Sequence, residues 1–134
     1  MEPVWVQQQT VILAHEESLL EHGGPSGIRD LGMLESALAR PKNLFFYSEA
    51  ELSLQRMAAA YAFGVAANHP FVDGNKRAAL IASLTFLKLN WLRLTAEMTD
   101  RYRMFYGLAA GTVSEEDLAE WFVRQTEPVQ LPKV

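Results

Sequence analysis

Cysteine is absent from the 134-residue chain, which removes disulfide frameworks, zinc knuckles, iron–sulfur sites and thiol nucleophiles together. An excess of positive charge is lacking too. Twelve Lys plus Arg stand against 16 Asp plus Glu, for a net charge of −4. Nucleic-acid binding needs a basic footprint, so no direct nucleic-acid interface is expected. Long apolar runs are missing as well. The longest, Ala78 to Leu87, is interrupted by Ser83 and Thr85 and falls short of the ~20 residues of a bilayer span. The first residues, Met1-Glu2-Pro3-Val4-Trp5, have neither the basic nor the apolar region of a secretion signal. With the missing thiols, this reads as a cytoplasmic protein without membrane contact. A Walker A loop and a G-x-S-x-G nucleophile elbow are also absent.

What the chain does contain is helix-forming material. Seventeen Ala, eighteen Leu, 49% hydrophobic and 21% charged residues describe an ordinary globular helical protein. Its length suits one domain, placed at residues 1–126, with a frayed C-terminal tail over 127–134. Ile12, His15, Leu19 and His22 recur at helical spacing over about Gln7 to Glu21, and Gly23-Gly24 is a stop. Asp30 caps a short helix that Pro41 ends, and Lys42 to Tyr47 then breaks the pattern as a short aromatic flap. Ser48 to Glu51 has the form of a capping box. The helix it opens carries Leu54, Met57, Ala58, Tyr61, Ala62 and Val65 on its core face and runs to about Asn68. A second strongly apolar helix spans Asn75 to Leu89, a third about Asp100 to Ala110. The last is capped by Ser114, with Asp117 at N3. The expected fold is all-α, a compact bundle of five to six helices.

Few motifs stand out as chemistry. His15-Glu16 opens like a zincin, but position 19 is Leu, so the second ligand is missing. His15, His22 and His69 could meet at a metal; two partly exposed helix-face histidines are the simpler reading. Trp5, Trp91 and Trp121 most simply pack the core or its edge. The charge, however, is uneven. Residues 1–68 hold 4 basic and 8 acidic side chains, residues 69–134 hold 8 and 8.

One stretch concentrates reactive groups: His69-Pro70-Phe71-Val72-Asp73-Gly74-Asn75-Lys76-Arg77, between the two apolar helices. The first-turn N–H groups of Gly74, Asn75 and Lys76 and the helix dipole favour an anion. Gly74 lets the backbone approach a phosphate, and Arg77 can grip one bidentately. Asp73 beside phosphate would need a cation between them, which is how Mg²⁺ is commonly held. His69 is the side chain suited to accept a proton from an attacking hydroxyl. Residue types alone leave a plain turn, helix cap and solvated first turn equally open.

The stretch resembles the H-x-F-x-[D/E]-[G/A]-N-[G/K]-R signature of the Fic/Doc family. Lys76, where Fic adenylyltransferases carry Gly, is similar to the Doc (death-on-curing) branch, as is Leu80 in place of a second arginine. The similarity extends through Gly23-Gly24, the loop Pro25 to Asp30 and the segment Leu34 to Pro41, and more weakly beyond Trp91. The resemblance implies an all-helical toxin whose active-site loop joins two central helices. The implied reaction is that of a kinase, moving the γ-phosphate of ATP to a Thr or Ser hydroxyl of a translation factor (elongation factor Tu) and arresting translation.

Carried onto this chain, His69 is the general base and Asp73 anchors Mg²⁺. Gly74, Asn75 and Lys76 cradle phosphate, and Arg77 stabilises the transferred group. Lys42 to Tyr47 corresponds to a flap that docks the target as an added strand. The inhibitory pattern [S/T]-x-x-x-E-[G/N] is approached only at Thr112 to Glu116, where Asp117 follows, so a cognate antitoxin in trans is implied. Transfer of AMP by the same site, or a catalytically silent antitoxin-binding module, are the alternatives.

Overall fold

In the computed structural model, which describes residues 2–130, the helix that organises the rest is the most alanine-rich. It spans Leu54–Asn68 and is numbered α3, after α1 (Gln8–His22) and α2 (Leu31–Tyr47). Then follow α4 (Asn75–Leu89), β1 (Leu92–Leu94), α5 (Met98–Ala110), α6 (Glu115–Gln125) and β2 (Thr126–Pro128). Met57, Ala58, Ala59, Ala60, Tyr61 and Ala62 are consecutive and all buried. A helix buried all round must be covered on every side, and α2, α4, α5 and α6 all pack on α3. Six helices in one bundle agree with the all-α expectation; the two short strands were not foreseen. They pair antiparallel, Leu92 opposite Pro128 and Leu94 opposite Thr126.

The α2–α3 contact is backbone against backbone. A Cβ placed on Gly64 would lie 3.1 Å from both the Cα and the carbonyl oxygen of Ala37. That carbonyl is the one four residues before Pro41, where proline offers no N–H to it. Pro41 is buried inside α2 and does not end it. The helix continues to Tyr47, so the expected flap over Lys42 to Tyr47 is a correction: the segment is helical and presents no strand edge. Packing overrides the local signal here. Phe45 meets Trp5 edge-to-face at 5.7 Å, and Trp5 stacks on Phe86 of α4 at 6.0 Å.

Two boundaries shift for the same kind of reason. Ser48 closes α2 and its hydroxyl accepts from the Ala50 N–H at 3.2 Å, a local turn that competes with capping. Ser53 caps α3 instead, accepting from the Arg56 N–H at 3.0 Å. The tail expected to fray from Glu127 pairs through Pro128, and the Val129 N–H donates to the Trp91 carbonyl at 2.8 Å. Residues 131–134 lie outside the described residues. At α6 the expected capping box is present, between Ser114 and Asp117.

Three helices are tied by one buried carboxylate. Glu115, at the start of α6, is 7% exposed and bonds Arg40 of α2 and Arg56 of α3, each at 2.5 Å. Its charge also complements the α6 dipole. Removing one member of a buried charge cluster leaves the others uncompensated. Because both arginines reach partly into solvent, Glu115→Ala is expected to cost about 2–4 kcal/mol, read as a lowered urea midpoint, with Glu115→Gln in between.

A second polar tie joins α5 to α6. The Trp121 indole N–H donates to Asp100 at 2.8 Å, and Arg103 donates to its other oxygen at 2.7 Å. These bonds, Trp121's first and Arg103's second, hold the Asp100 carboxyl below its usual value. A lowered carboxylate pKa stabilises the fold above the usual range and loses that contribution as pH falls through the lowered value. Asp100→Asn keeps an acceptor for Trp121 but not the charge. The melting-temperature gap between wild type and this variant should therefore narrow as pH falls below the usual carboxylate range.

Candidate active site

The chain reverses between α3 and α4 within His69 to Gly74, and both ends of the reversal are left-handed. His69 closes α3 at φ 48°, ψ 55°, and Gly74 opens α4 at φ 77°, ψ 25°. A non-glycine residue there stores about 1 kcal/mol or more of strain. Arg29 offsets it from outside, donating Nε to the His69 carbonyl at 2.7 Å and Nη2 to the Asn68 carbonyl at 2.9 Å. A cation on the last carbonyls also favours the C-terminal dipole of α3.

The loop's interior is closed by Asn75. Its Oδ1 accepts from the Phe71 N–H at 2.9 Å and its Nδ2 donates to the Phe71 carbonyl at 3.0 Å. The Asn75 amide is thereby committed to the loop, which leaves its backbone N–H, and not its side chain, for the expected phosphate cradle. Phe71 is 1% exposed and anchors the loop to the core. The segment before α2 zips along the outside. Arg29 and Asp30 N–H groups both reach the Pro70 carbonyl, at 2.8 and 3.1 Å, and the Val72 N–H reaches Gly27 at 3.1 Å.

His69, Asp73, Gly74, Asn75, Lys76 and Arg77 all line one cleft of about 870 Å³ between α1, α4 and α5. Every site residue expected from the sequence therefore converges on it. Leu80 lies in the same wall, where an arginine would project charge. Lys76 and Arg77 form no ion pair among the described residues. The Lys76 ammonium sits 4.8 Å from the centre of the Tyr106 ring, a cation–π contact that leaves its charge facing the cleft. Two cations at a helix N-terminus, without an ion-pair partner among the described residues, favour an anion there. The Asp73 carboxylate is exposed and packs by Gly24, where a Cβ would come within 2.6 Å of Oδ2.

The described residues contain no group of three or more His, Cys, Asp or Glu that could hold a metal on its own. The His15–His22–His69 metal alternative thus has no geometric support. Asp73, the lone carboxylate on this loop, does suit a Mg²⁺ ion whose other ligands are phosphate oxygens and water.

The sequence reading missed His15 and Arg29. Read from spacing alone His15 is a partly exposed helix-face histidine, yet it is 2% exposed. Its Nε2 lies 2.7 Å from the Asp73 carbonyl, and its ring stacks on Phe71 at 3.8 Å. The signal was there in the spacing, since Val11, His15 and Leu19 are one buried stripe of α1. Arg29 had no comparable signal, because its partners are backbone carbonyls far along the chain.

A histidine, a carboxylate and two cations thus share one cleft where a short loop joins two central helices. The Fic/DOC family model matches residues 5–87, and the chain belongs to that family. It is similar to Toxin Doc of Mycolicibacterium smegmatis (strain ATCC 700084 / mc(2)155), with 43% identity over 75 residues. That match covers 56% of this chain and 58% of the mycobacterial protein, so it spans less than two thirds of that relative. It is also similar to Protein kinase doc of Escherichia phage P1, with 29% identity over 117 residues, 86% of this chain and 90% of the phage protein. Both relatives are of the Doc type.

Asn75→Ala would leave the Phe71 N–H and carbonyl without partners in a partly buried loop. A loss of about 1–3 kcal/mol is expected, measured by urea denaturation, together with weakened protection of the Phe71 amide from hydrogen exchange.

Proposed function

We propose that this chain is a Doc-type toxin that acts as a protein kinase, transferring the γ-phosphate of ATP to a Ser or Thr hydroxyl of a translation factor. By family resemblance that factor is elongation factor Tu, and a cognate antitoxin neutralises the toxin. The observation that carries the reading is the convergence of His69, Asp73, Lys76 and Arg77 on one cleft at the N-terminus of α4. The kinase name of the phage relative supports it.

In the reaction, His69 accepts the proton of the substrate hydroxyl as its oxygen attacks the γ-phosphorus. The bond between the γ-phosphorus and the β,γ-bridging oxygen breaks, ADP leaves, and a phosphorylated side chain remains. Phosphoryl transfer of this kind depends mainly on positioning and charge stabilisation. Gly74, Asn75 and Lys76 N–H groups bind phosphate oxygens in the first turn of α4, and Arg77 offsets charge on the transferred group. Mg²⁺ held by Asp73 would neutralise charge shared between the phosphates.

Lys76 is the residue that favours γ-transfer over AMP transfer. Its side chain occupies volume where a glycine would leave space, and its ammonium draws a phosphate toward the α5 wall. Leu80 in the same wall withholds the second guanidinium of the adenylyltransferase pattern. Among the described residues no helix is long and apolar enough to cross a membrane, which is compatible with a target on the translation apparatus.

The discriminating experiment supplies a translation extract with ATP labelled at the α or the γ position. Wild type is expected to transfer γ label to one protein, and His69→Ala to lose at least about 10²-fold in rate. Label from the α position alone would assign AMP transfer. No His69-dependent label from either position would make the chain a binding module.

A further inference from the structure

His15 stands on α1, yet it touches three residues of the loop that joins α3 to α4. Its ring lies against Phe71 at 3.8 Å between centroids and 18° between planes. Its Nε2 lies 2.7 Å from the Asp73 carbonyl oxygen. A Cβ on Gly74 would come within 3.2 Å of the same nitrogen. A carbonyl oxygen can only accept, so Nε2 must carry the proton. The bond is short and part-buried, and the stack on Phe71 favours the ring orientation that makes it.

What this bond holds is a peptide plane. The Asp73–Gly74 unit is trans, as are all peptides among the described residues, and a trans unit is rigid and planar. Pinning the Asp73 oxygen toward α1 therefore points the Gly74 N–H the opposite way. The Gly74 side of this peptide is the one place in the loop where the plane could turn over cheaply, since glycine tolerates both signs of φ. A turned plane would present the Asp73 oxygen where the anion cradle needs a donor. Carbonyl oxygen against phosphate is repulsive, so even a partial population of that state weakens binding in proportion.

We propose that His15 is a positioning residue that locks the Asp73–Gly74 peptide and so keeps the Gly74 N–H directed as the first donor of the anion site. It touches neither nucleotide nor acceptor and acts through the loop. Its consequence for ligand affinity rests on the nucleotide reading above, whereas the lock itself does not. Gly74 must stay glycine on this account for two reasons, its φ of 77° and the closeness of the imidazole.

The test separates the two claims. His15→Phe preserves a flat ring for Phe71 but removes the donor; His15→Gln retains an N–H that can reach the carbonyl. In ligand-free protein, ¹⁵N relaxation dispersion at Gly74 should be flat in wild type and show μs–ms exchange in His15→Phe. Binding of ATP, and of inorganic tripolyphosphate as a base-free probe, is followed by calorimetry. His15→Phe should bind both at least tenfold more weakly, and His15→Gln should recover most of the loss. A purely structural histidine would lower the melting temperature of both variants without singling out Gly74 or the phosphate probe. If Phe does not fold, His15→Met, similar in volume and without a donor, carries the same expectation. Flat dispersion at Gly74 together with unchanged tripolyphosphate binding in the folded variant overturns the proposal. Wild type that binds neither ligand, with Gly74 exchange still appearing in the variant, overturns the nucleotide reading and leaves the lock standing.

Discussion

The structure depends on one constraint: two buried helices, α3 and α4, must be joined by six residues without leaving backbone groups unsatisfied inside. A reversal that short forces left-handed backbone at both ends, and it exposes the terminal carbonyls of one helix and the terminal N–H groups of the next. The carbonyls are answered by Arg29, the loop interior by Asn75, and the outer rim by the segment before α2. The first-turn N–H groups of α4 have no such partner among the described residues. Unpaired donors at a helix start cost little when they face a cleft and water, and they are what an anion needs. The proposed anion site is thus the unsatisfied remainder of a folding problem whose other parts are satisfied.

Much of this was readable from residue order. The helix α4 was expected at Asn75 to Leu89 and is found there, because Asp73-Gly74 breaks one pattern and a long apolar run starts the next. That the six candidate site residues share one cleft was legible because they sit within nine positions, so local geometry alone brings them together. The limits were where a distant surface decides a local outcome. Pro41 is a helix breaker in isolation, yet inside α2 its lost hydrogen bond is set against a close backbone contact at Gly64 and the packing of Phe45 on Trp5. Ser48 and Ser53 are equally good caps on paper. The two strands are three residues each, too short to show alternation, and their pairing joins positions far apart in the chain.

Charge behaves in the same divided way. The acidic excess of the chain is compatible with the proposed site for a polyanion because charges act over short distances in salt solution. Arg40 and Arg56 are consumed by Glu115, Arg93 by Glu127 and Arg103 by Asp100. Lys76 and Arg77 are left to the cleft. Net charge averages over both groups and so conceals the distinction that matters for function.

The pinned N-terminal segment has a practical consequence. Val4 pairs with the Asn90 side chain through both its N–H and its carbonyl, at 2.8 and 2.9 Å, and the Val6 N–H donates to the buried Tyr61 hydroxyl at 3.1 Å. Burial raises the Tyr61 pKa to about 12, so that acceptor stays neutral across any working pH. Asn90 stands just past the C-terminal end of α4, while the cleft lies at its N-terminal end, a helix length of roughly 22 Å away at 1.5 Å per residue. A fluorophore or surface tether attached at the exposed side chain of Val4 therefore starts at the pole of α4 remote from the candidate site, which makes this segment a natural handle for immobilised or single-molecule assays.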